Sequence, residues 1–327
     1  MTLTFESTAE PDFKLLEAIV ELNPKSPFNH PAYADAMRAL GVTPCALALL
    51  NRGVILGGCC GYLTGSRWHR RLQIPTTPAL ENAEVFWDGV AKFCDTNKVS
   101  ELVADTFASE QPSMPKLGRK QHHRKRSEFL IDLASTVVDE NLSKNHKRNV
   151  KRALAAGFKV AATRQPQDCA KHVALMHSSM ARRNQRGEKL SISSDQGPYR
   201  AFIDSGIGEL FQVTTQADEV MASIMVLRTP TSAYYQTAGT LPEGMKNGAS
   251  PFLVTEVAKS LHADGVRWFN LGGADPAADG LRRFKSGFGA QIIDLEAISC
   301  ELVSTYRKTT RRLASRVGRI LARHSRR

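Results

Sequence analysis

The stretch from Val220 to Phe288 constrains the fold of this chain more strongly than any other part of the sequence. It begins with two short runs rich in β-branched and aromatic residues, at residues 220–227 and 232–238, on either side of Thr229-Pro230-Thr231. Such runs, separated by a short turn that contains proline, predict two strands joined as a hairpin. The stretch therefore opens with a pair of antiparallel strands.

A helix and a further strand follow this hairpin. Ser250 and Pro251 are typical of an N-cap and a first helical position, and Gly265 of a C-terminal cap, so we predict a helix between them. Residues 267–271 then predict a buried strand. A strand, a helix and a strand in this order form a right-handed βαβ unit. We expect the backbone N–H groups near Gly248, at the start of the helix, to bind an anion.

A lysine interrupts the apolar face of the last helix in this stretch. Leu281, Phe284, Lys285 and Phe288 fall at i, i+3, i+4 and i+7, which is the spacing of one helical face. Two interpretations of Lys285 stay open. Its stem can pack at the edge of the face while its ammonium stays in water, or its ammonium can serve a function within the fold.

Several distinct motifs follow one another along the chain. They are Pro27-Phe-Asn-His-Pro-Ala-Tyr33, Glu128-Phe-Leu-Ile-Asp-Leu133, the helical pattern at residues 142–153, Phe211-Gln-Val213, Tyr234-Tyr235, Phe269-Asn-Leu-Gly-Gly273, and Phe284-Lys285 followed by Phe288-Gly289. Together they resemble the FemAB/FemX family of acyl and aminoacyl transferases, which are built on GNAT-like (BioF2-like) acyltransferase domains. The resemblance spans roughly residues 27–298 and is most specific in the C-terminal half. It departs from the family at Asn270, where the family often has an acidic residue.

The resemblance implies two tandem GNAT-like acyltransferase domains of mixed α/β (α+β) structure. The order of predicted helices and strands before Asp105 independently indicates an α/β or α+β domain. A length of 327 residues is enough for two domains that each bury a core. We expect an N-terminal domain at residues 1–135, a C-terminal domain at residues 136–305 and a basic tail at residues 306–327.

The formal net charge of +12 is concentrated in that tail. Residues 306–327 contain nine Lys or Arg residues and no acidic residue, and Leu313, Val317, Ile320 and Leu321 follow helical spacing. This pattern predicts a basic amphipathic helix. Such a helix can bind RNA phosphates, lie on an anionic membrane or form a frayed terminus, and the pattern leaves all three open.

Other features argue against several classes of protein. The sequence has no apolar run long enough to span a membrane and no basic N-terminal segment followed by an apolar one, so we expect a cytoplasmic protein. Its six cysteines lie in apolar contexts without C-x-x-C spacing, which predicts reduced core residues and no metal site. Because G-x-S-x-G, Walker and G-x-G-x-x-G motifs do not occur, the sequence does not support a hydrolase, kinase or dinucleotide-binding protein.

Two basic segments precede the C-terminal half. Residues 119–126 predict either a solvated loop or part of an anion-binding surface. In the helical pattern that follows, Lys147 and Arg148 point outward, where they either bind substrate phosphate or form a solvated face. The residues predicted to pack inward are Leu142, Val150, Ala153 and Leu154. Arg183 ends a predicted helix, where it binds substrate or stabilises the helix dipole.

The resemblance also implies roles for individual residues. The family's Phe-Lys pair lies at the acyl-accepting site, so we expect Phe284 to bind substrate. By the same resemblance, Lys285 stabilises the oxyanion that forms when an amine attacks an acyl ester. Tyr235 resembles the substrate-contacting tyrosine of the family, with a core tyrosine as the alternative. Asp105, at the end of a predicted strand, is the candidate base by analogy alone.

The last expectation concerns the identity of the acyl donor. GNAT folds bind the pyrophosphate of coenzyme A on a Q/R-x-x-G-x-G/A loop, and the matching stretch here, Met245 to Ser250, is degenerate at its first and last positions. Asn247, Gly248 and Ser250 are the expected phosphate-binding residues. The degenerate loop favours aminoacyl-tRNA as donor substrate, with no cofactor and with an amine of a peptide or peptidoglycan-precursor-like molecule as acceptor. An acyl-CoA-dependent N-acyltransferase and a non-catalytic RNA- or membrane-binding protein on the same fold are the alternatives.

Overall fold

The computed structural model describes residues 3–302 except residues 10, 12, 67–68, 108–112, 116, 118–119, 189 and 192. The strands are β1 (Leu3–Ala9), β2 (Thr43–Asn51), β3 (Val54–Ser66), β4 (His69–Ile74), β5 (Val99–Asp105), β6 (Lys120–Asp132), β7 (Lys159–Thr163), β8 (Gly208–Thr214), β9 (Val220–Arg228), β10 (Ser232–Thr240), β11 (Trp268–Ala274) and β12 (Gln291–Glu301). The helices are α1 (Phe13–Leu22), α2 (Pro31–Ala39), α3 (Ala83–Thr96), α4 (Val138–Asn141), α5 (Lys144–Ala155), α6 (Asp168–Gln185), α7 (Gly197–Asp204), α8 (Pro242–Lys246), α9 (Ala249–Ala263) and α10 (Asp279–Ser286), with a 3-10 helix at Pro27–Asn29. The tail predicted at residues 306–327 lies outside the described residues.

The chain forms two compact units, and their bounds differ from the predicted division at residue 135. The first unit comprises Met1–Asn23, Gly41–Lys125 and the segment from Glu296 onward, and the second comprises Pro24–Leu40 and Arg126–Leu295. Residues 24–40 belong to the second unit because aromatic packing holds them there. Phe28 lies edge-on to Tyr234, with ring centroids 5.0 Å apart.

The first unit is built on strands in the order β1-β2-β3-β4-β5-β12. β4 and β5 are parallel, and the other neighbours pair antiparallel, with Ala297–Glu301 of β12 against β5. The core residues include Leu47, Leu72, Phe86, Trp87 and Leu102. All six cysteines of the chain are buried as free thiols, as predicted.

The second unit is built on strands in the order β6-β11-β10-β9-β8-β7. β10 and β11 are parallel, and the other neighbours pair antiparallel. Its core includes residues of the sheet, of α9 and of the segment after α10, among them Phe129, Val226, Phe252, Phe269 and Phe288. Within the described part of the chain, no helix is both long enough and apolar enough to cross a membrane.

The hairpin and the βαβ connection predicted for this unit are confirmed. β9 and β10 pair antiparallel on either side of the predicted turn, and β10 pairs parallel with β11 after α8 and α9. Gly265 follows α9 with φ 80°, which is the left-handed conformation of a glycine that ends a helix. The local pattern was sufficient here because each of these connections joins neighbouring elements.

The predicted start of α9 is wrong by two residues. Gly248, with φ 77°, is the N-cap, so Ser250 and Pro251 lie inside the helix. A Cβ on Gly248 would lie 2.3 Å from the backbone oxygen of Asn149. The close approach of α5 therefore requires glycine at the cap, and this long-range contact overrides the local preference for serine.

Two expectations for the basic segments are also corrected. Leu154 is 58% exposed, because the buried face of α5 follows His146, Val150 and Ala153 and leaves Leu154 at its margin. The basic run before Ser127 is not a loop, since residues from Lys120 onward form the first half of β6. Most side chains in that half are exposed, so the strand tolerates the charges.

Candidate active site

The candidate site lies where β10 and β11 part. Register pairs between these parallel strands run only from Ser232–Trp268 to Tyr234–Asn270, although β10 continues to Thr240 and β11 to Ala274. Just beyond these pairs, β10 shifts its register against β9, and β11 shifts its register against β6. Residues 235–238 are half-buried, whereas both ends of β10 are buried. Bulges of this kind redirect strands and are common next to active sites.

α10 places Lys285 at this point. The side chain is only 7% exposed, and its Nζ donates a hydrogen bond of 2.6 Å to the carbonyl oxygen of Gly273. The ring centroids of Phe129 and Tyr235 each lie 5.9 Å from Nζ. The snorkelling arrangement, with the ammonium in water, is therefore not what the structure shows. Leu281 on the same helix is 36% exposed, so the lysine is more deeply buried than this apolar neighbour.

Burial makes Lys285 unusually acidic. Loss of solvation lowers the pKa of its ammonium from 10.5 to about 8, while Glu128 raises this pKa and Arg126 lowers it. At neutral pH the group is thus mainly charged, but it lies close to its titration point. A lysine with this property inside a fold is typical of a functional site, because an ordinary structural lysine keeps its ammonium solvated.

A buried carboxylate lies on the adjacent strand. The Glu128 side chain is fully buried, and its Oε1 accepts a hydrogen bond of 2.8 Å from Arg126 Nη2. Its Oε2 accepts one of 3.0 Å from Asn270 Nδ2, and Asn270 Oδ1 accepts one of 2.7 Å from the backbone N of Gly272. Asn270 stands where the related family often has an acid, and here Glu128 brings a carboxylate to its side chain. The network fixes the bulge of β11 and sets the charge near Lys285.

His146 holds α10 in place through its contacts with Phe284 and Phe288. His146 Nε2 donates to the carbonyl oxygen of Phe284 over 2.8 Å, and its ring contacts Phe284 and Phe288. Its Nδ1 is buried without a hydrogen-bond partner among the described residues, and burial lowers the pKa of the imidazole. A neutral His146 therefore holds the residue directly before Lys285.

His172 of α6 stabilises the bulge of β10. Its Nε2 lies 2.9 Å from Thr237 Oγ1, just past the bulge, and its Nδ1 lies 2.9 Å from Ser223 Oγ on β9. Burial lowers the pKa of His172 to about 4, so the ring is neutral near pH 7. The ring of Tyr199 lies edge-on to it, and the Tyr199 hydroxyl is 3.2 Å from Met176 Sδ.

The predicted substrate residues are not gathered in one place. Tyr235 packs against the hydrophobic core beside Lys285, and burial raises the pKa of its phenol. Lys147 Nζ donates to Glu140 O, and Arg148 Nη2 donates to Asn145 Oδ1, both on the exposed side of the fold. Arg183 makes two hydrogen bonds to Glu188. Asp105 ends β5 in the first unit, where Arg124 Nη2 lies 3.7 Å from it.

The three expected phosphate-binding residues all contact the protein itself. Asn247 Nδ2 donates to Glu243 O over 3.3 Å, and Ser250 Oγ lies 2.8 Å from Thr240 Oγ1. Gly248 lies directly against the backbone of Asn149. Beside this loop, Arg182 Nη2 donates to Thr240 O over 2.6 Å. This helix start is therefore closely packed.

Comparisons with known proteins agree with this geometry. Residues 140–286 match the family model of the acetyltransferase (GNAT) domain. The chain thus carries a GNAT-type acyltransferase domain. The search of curated proteins gives no match.

Three solved structures share the fold. FemX superposes with a TM-score of 0.68 at 12% identity, covering 89% of this chain and 96% of that one. A tandem GNAT protein from the clavulanic acid biosynthesis pathway gives 0.59 at 11% identity, over 93% and 100%. L-PGS from Bacillus licheniformis gives 0.55 at 13% identity, over 94% and 97%. The predicted FemX-like, tandem GNAT fold and the acyltransferase class are confirmed.

Sequence reasoning missed Glu128, Arg126 and His146 as parts of the site. Each lies on an element distant in sequence from α10, and Glu128 and His146 are buried among apolar neighbours. One signal could have identified the first two. A charged pair at i and i+2 inside a strand places both side chains on one face, and such a pair is rare unless it is compensated.

Proposed function

We propose that this protein transfers an acyl group from an ester or thioester donor to an amine and so forms an amide bond. The observation that carries this proposal is the buried ammonium of Lys285 at the point where β10 and β11 of a GNAT-type domain part. Attack of an amine on an acyl carbonyl passes through a tetrahedral oxyanion. A cation already held in a site of low polarity stabilises such charge far better than a solvated one.

The electron balance of the step is simple. The amine lone pair forms the new C–N bond, the carbonyl π electrons move to oxygen, and collapse of the oxyanion breaks the bond to the donor oxygen or sulfur. The nitrogen loses one proton and the leaving atom gains one. Lys285 donates hydrogen bonds to the oxyanion, and the proton of the amine passes to water or to the substrate itself.

We infer that aminoacyl-tRNA is the donor. At the start of α9, which would hold a pyrophosphate, the side chains of Asn247 and Ser250 bond to atoms of the protein and Gly248 packs against α5. The exposed side of α5, in contrast, carries cations and no acid, and this suits a polyphosphate ligand. These cations are Lys144, Lys147, Arg148, Lys151 and Arg152.

An acyl-CoA donor is the second candidate, and the match to an acetyltransferase family model favours it. One experiment separates the two. Purified protein is incubated with an amine acceptor, tRNA, synthetase and amino acid, with and without ribonuclease, and in parallel with acetyl-CoA and no RNA. Loss of product on ribonuclease treatment supports the tRNA donor, whereas product formation from acetyl-CoA without RNA selects the second candidate.

For the acceptor we propose an amine on a peptide or a peptidoglycan-precursor-like molecule. The support is the likeness in fold to FemX. A panel of amines that includes lysyl peptides and amino lipids tests this choice. Product formed only from the lipids would contradict it.

A further inference from the structure

Two hydrogen-bond donors face Gly272. It lies in the bulge of β11 with φ 74°, a left-handed conformation that disfavours other residues. A Cβ at this position would lie 3.2 Å from Tyr234 Oη and 3.6 Å from Lys285 Nζ, so a side chain here would crowd both groups. The phenol and the ammonium therefore face the same point beside Gly272. No role has been given to Tyr234 so far.

Aromatic packing fixes the ring of Tyr234. The side chain is buried, and its ring lies edge-on to Phe28 with the centroids 5.0 Å apart. Phe28 in turn lies 5.2 Å from the ring of Tyr33, which stacks on Phe202. A ring held in this way has little rotational freedom, so its hydroxyl stays at the position beside Gly272.

The start of the second unit supplies this support. Phe28 lies in the 3-10 helix, where its backbone N donates to Ser26 Oγ, and Tyr33 lies in the first turn of α2. Both come from the opening motif at residues 27–33. This motif lies about 200 residues before Tyr234 in the sequence, and its packing explains why these residues join the second unit.

We propose that Tyr234 is a catalytic residue that forms an oxyanion-binding pair with Lys285, beside Gly272, which both donors face. This inference rests on the proposed acyl transfer. On attack by the amine, the carbonyl oxygen becomes an oxyanion and accepts hydrogen bonds from Tyr234 Oη–H and Lys285 Nζ–H. Neither proton is transferred, and collapse of the intermediate returns the electrons to the carbonyl. In such a pair each donor atom lies about 2.7–3.1 Å from the oxyanion.

The first test removes only the hydroxyl. Tyr234→Phe keeps the ring packed on Phe28, and we expect kcat to fall by about 10²-fold with KM little changed. Tyr62→Phe is the control, since it removes a buried phenol hydroxyl on β3 of the first unit, outside the candidate site. Wild-type kcat in a folded Tyr234→Phe variant overturns the proposal. An equal loss in both Phe variants also overturns it, because the effect would not be specific to the site.

The second test crowds both donors and covers the case in which Tyr234→Phe does not fold. Gly272→Ala places a methyl group against Tyr234 Oη and Lys285 Nζ, so kcat should fall by at least about 10²-fold. Gly265→Ala is the control for backbone strain, because Gly265 has φ 80° and no atom within 4 Å of its added Cβ. Equal activity of the two Ala variants contradicts the proposal.

The activity of the wild type separates this inference from the proposed function. Wild-type protein that transfers from neither donor overturns both. An active wild type with an equally active Tyr234→Phe variant overturns this inference alone.

Discussion

Gly248 and Gly272 are both left-handed glycines of the second unit, and their surroundings are opposite. A Cβ on Gly248 would lie 2.3 Å from a backbone oxygen of α5, whereas a Cβ on Gly272 would meet the hydroxyl of Tyr234 and the ammonium of Lys285. The first glycine permits two helices to pack closely. The second keeps side-chain atoms away from two hydrogen-bond donors. The same backbone conformation thus permits close packing at one site and, in the proposed mechanism, keeps two donors accessible at the other.

The polar groups around the two glycines differ in the same way. Near Gly248, Asn247 and Ser250 are neutral and bond to atoms of the protein. Near Gly272, the charges of Lys285 and Glu128 are buried, which costs free energy of folding. A fold tolerates such a cost chiefly where function requires it. The comparison therefore supports the proposed chemistry at Gly272 and a structural role for the loop at Gly248.

The largest expected effect is at Lys285. Lys285→Met keeps an unbranched side chain beside Phe129 and removes the charge, so turnover should fall by about 10²- to 10³-fold while donor binding changes little. Steady-state kinetics with the donor found active for the wild type measure this. Near-normal turnover in a folded variant would show that the buried ammonium is structural, and the contrast between the two glycines would lose its functional meaning.

The pH dependence of stability in the same variant tests whether burial lowers the pKa of Lys285. The pKa of Lys285 is about 8 in the fold and 10.5 in its ordinary state, so between these pH values the unfolded chain binds more protons than the folded one. The free energy of unfolding of the wild type therefore gains a contribution that grows from pH 8 to pH 10.5, about 3 kcal/mol in all. Lys285→Met lacks this contribution. Urea unfolding of both proteins at pH 7, 9 and 10 should show their stability difference changing in favour of the wild type. A constant difference would contradict the lowered pKa.

Alanine at each glycine compares the two sites directly. Gly248→Ala forces a methyl group against a backbone oxygen, so we expect a loss of about 2–4 kcal/mol in the free energy of unfolding. Gly272→Ala meets only side-chain ends, and its strain should cost about 1–2 kcal/mol. Activity per folded molecule should show the reverse order, with the greater loss at Gly272. Denaturant titration measures the loss of stability, and single-turnover assays measure the loss of activity. If the same variant were the more impaired in both measurements, the distinction between a packing glycine and a functional glycine would be contradicted.

The local features of this half of the fold follow from sequence. The hairpin before β11, the parallel return through α9 and the glycine cap at Gly265 each depend on neighbouring residues, and all are confirmed. The cap at Gly248 could not be predicted, because the reason for glycine lies in α5. The same holds for residues 24–40, whose place depends on Tyr234.

Within the candidate site, the sequence pattern alone singled out only the central residue, Lys285. Helical spacing identified Lys285 as anomalous, but the depth of its burial depends on Phe129 and on the bulge of β11. The sequence named Tyr235 for substrate contact and gave no signal for Tyr234. Adjacent strand residues point to opposite faces, and only the aromatic contacts of Tyr234 show which face each tyrosine takes.

A smaller effect is expected when the charge near Lys285 is changed. Glu128 raises the pKa of Lys285, so Glu128→Gln should lower that pKa while keeping a side chain that can accept from Asn270. Because the protonated lysine is the active form, kcat falls as pH rises through its pKa, and this limb should move to lower pH in the variant. A pH profile of kcat from 6 to 10 measures the shift. Glu256→Gln, on the outer part of α9, is the control and should leave the limb in place.

The smallest effect concerns the donor and follows from the packed loop at Gly248. If the start of α9 cannot hold donor phosphates, the exposed cations of α5 are left to bind them, and each phosphate contact contributes to the salt dependence of binding. Lys147→Gln and Arg148→Gln should each weaken tRNA binding and reduce the slope of log K against log salt by roughly 0.7–0.9. Lys159→Gln, an exposed lysine on β7, is the matched control and should keep the wild-type slope. Filter binding or fluorescence anisotropy at several salt concentrations measures these slopes. An unchanged slope in both α5 variants, together with tight binding of acetyl-CoA, would indicate that the loop at Gly248 binds the donor phosphates. Gly248 would then have a functional role, contrary to the comparison between the two glycines.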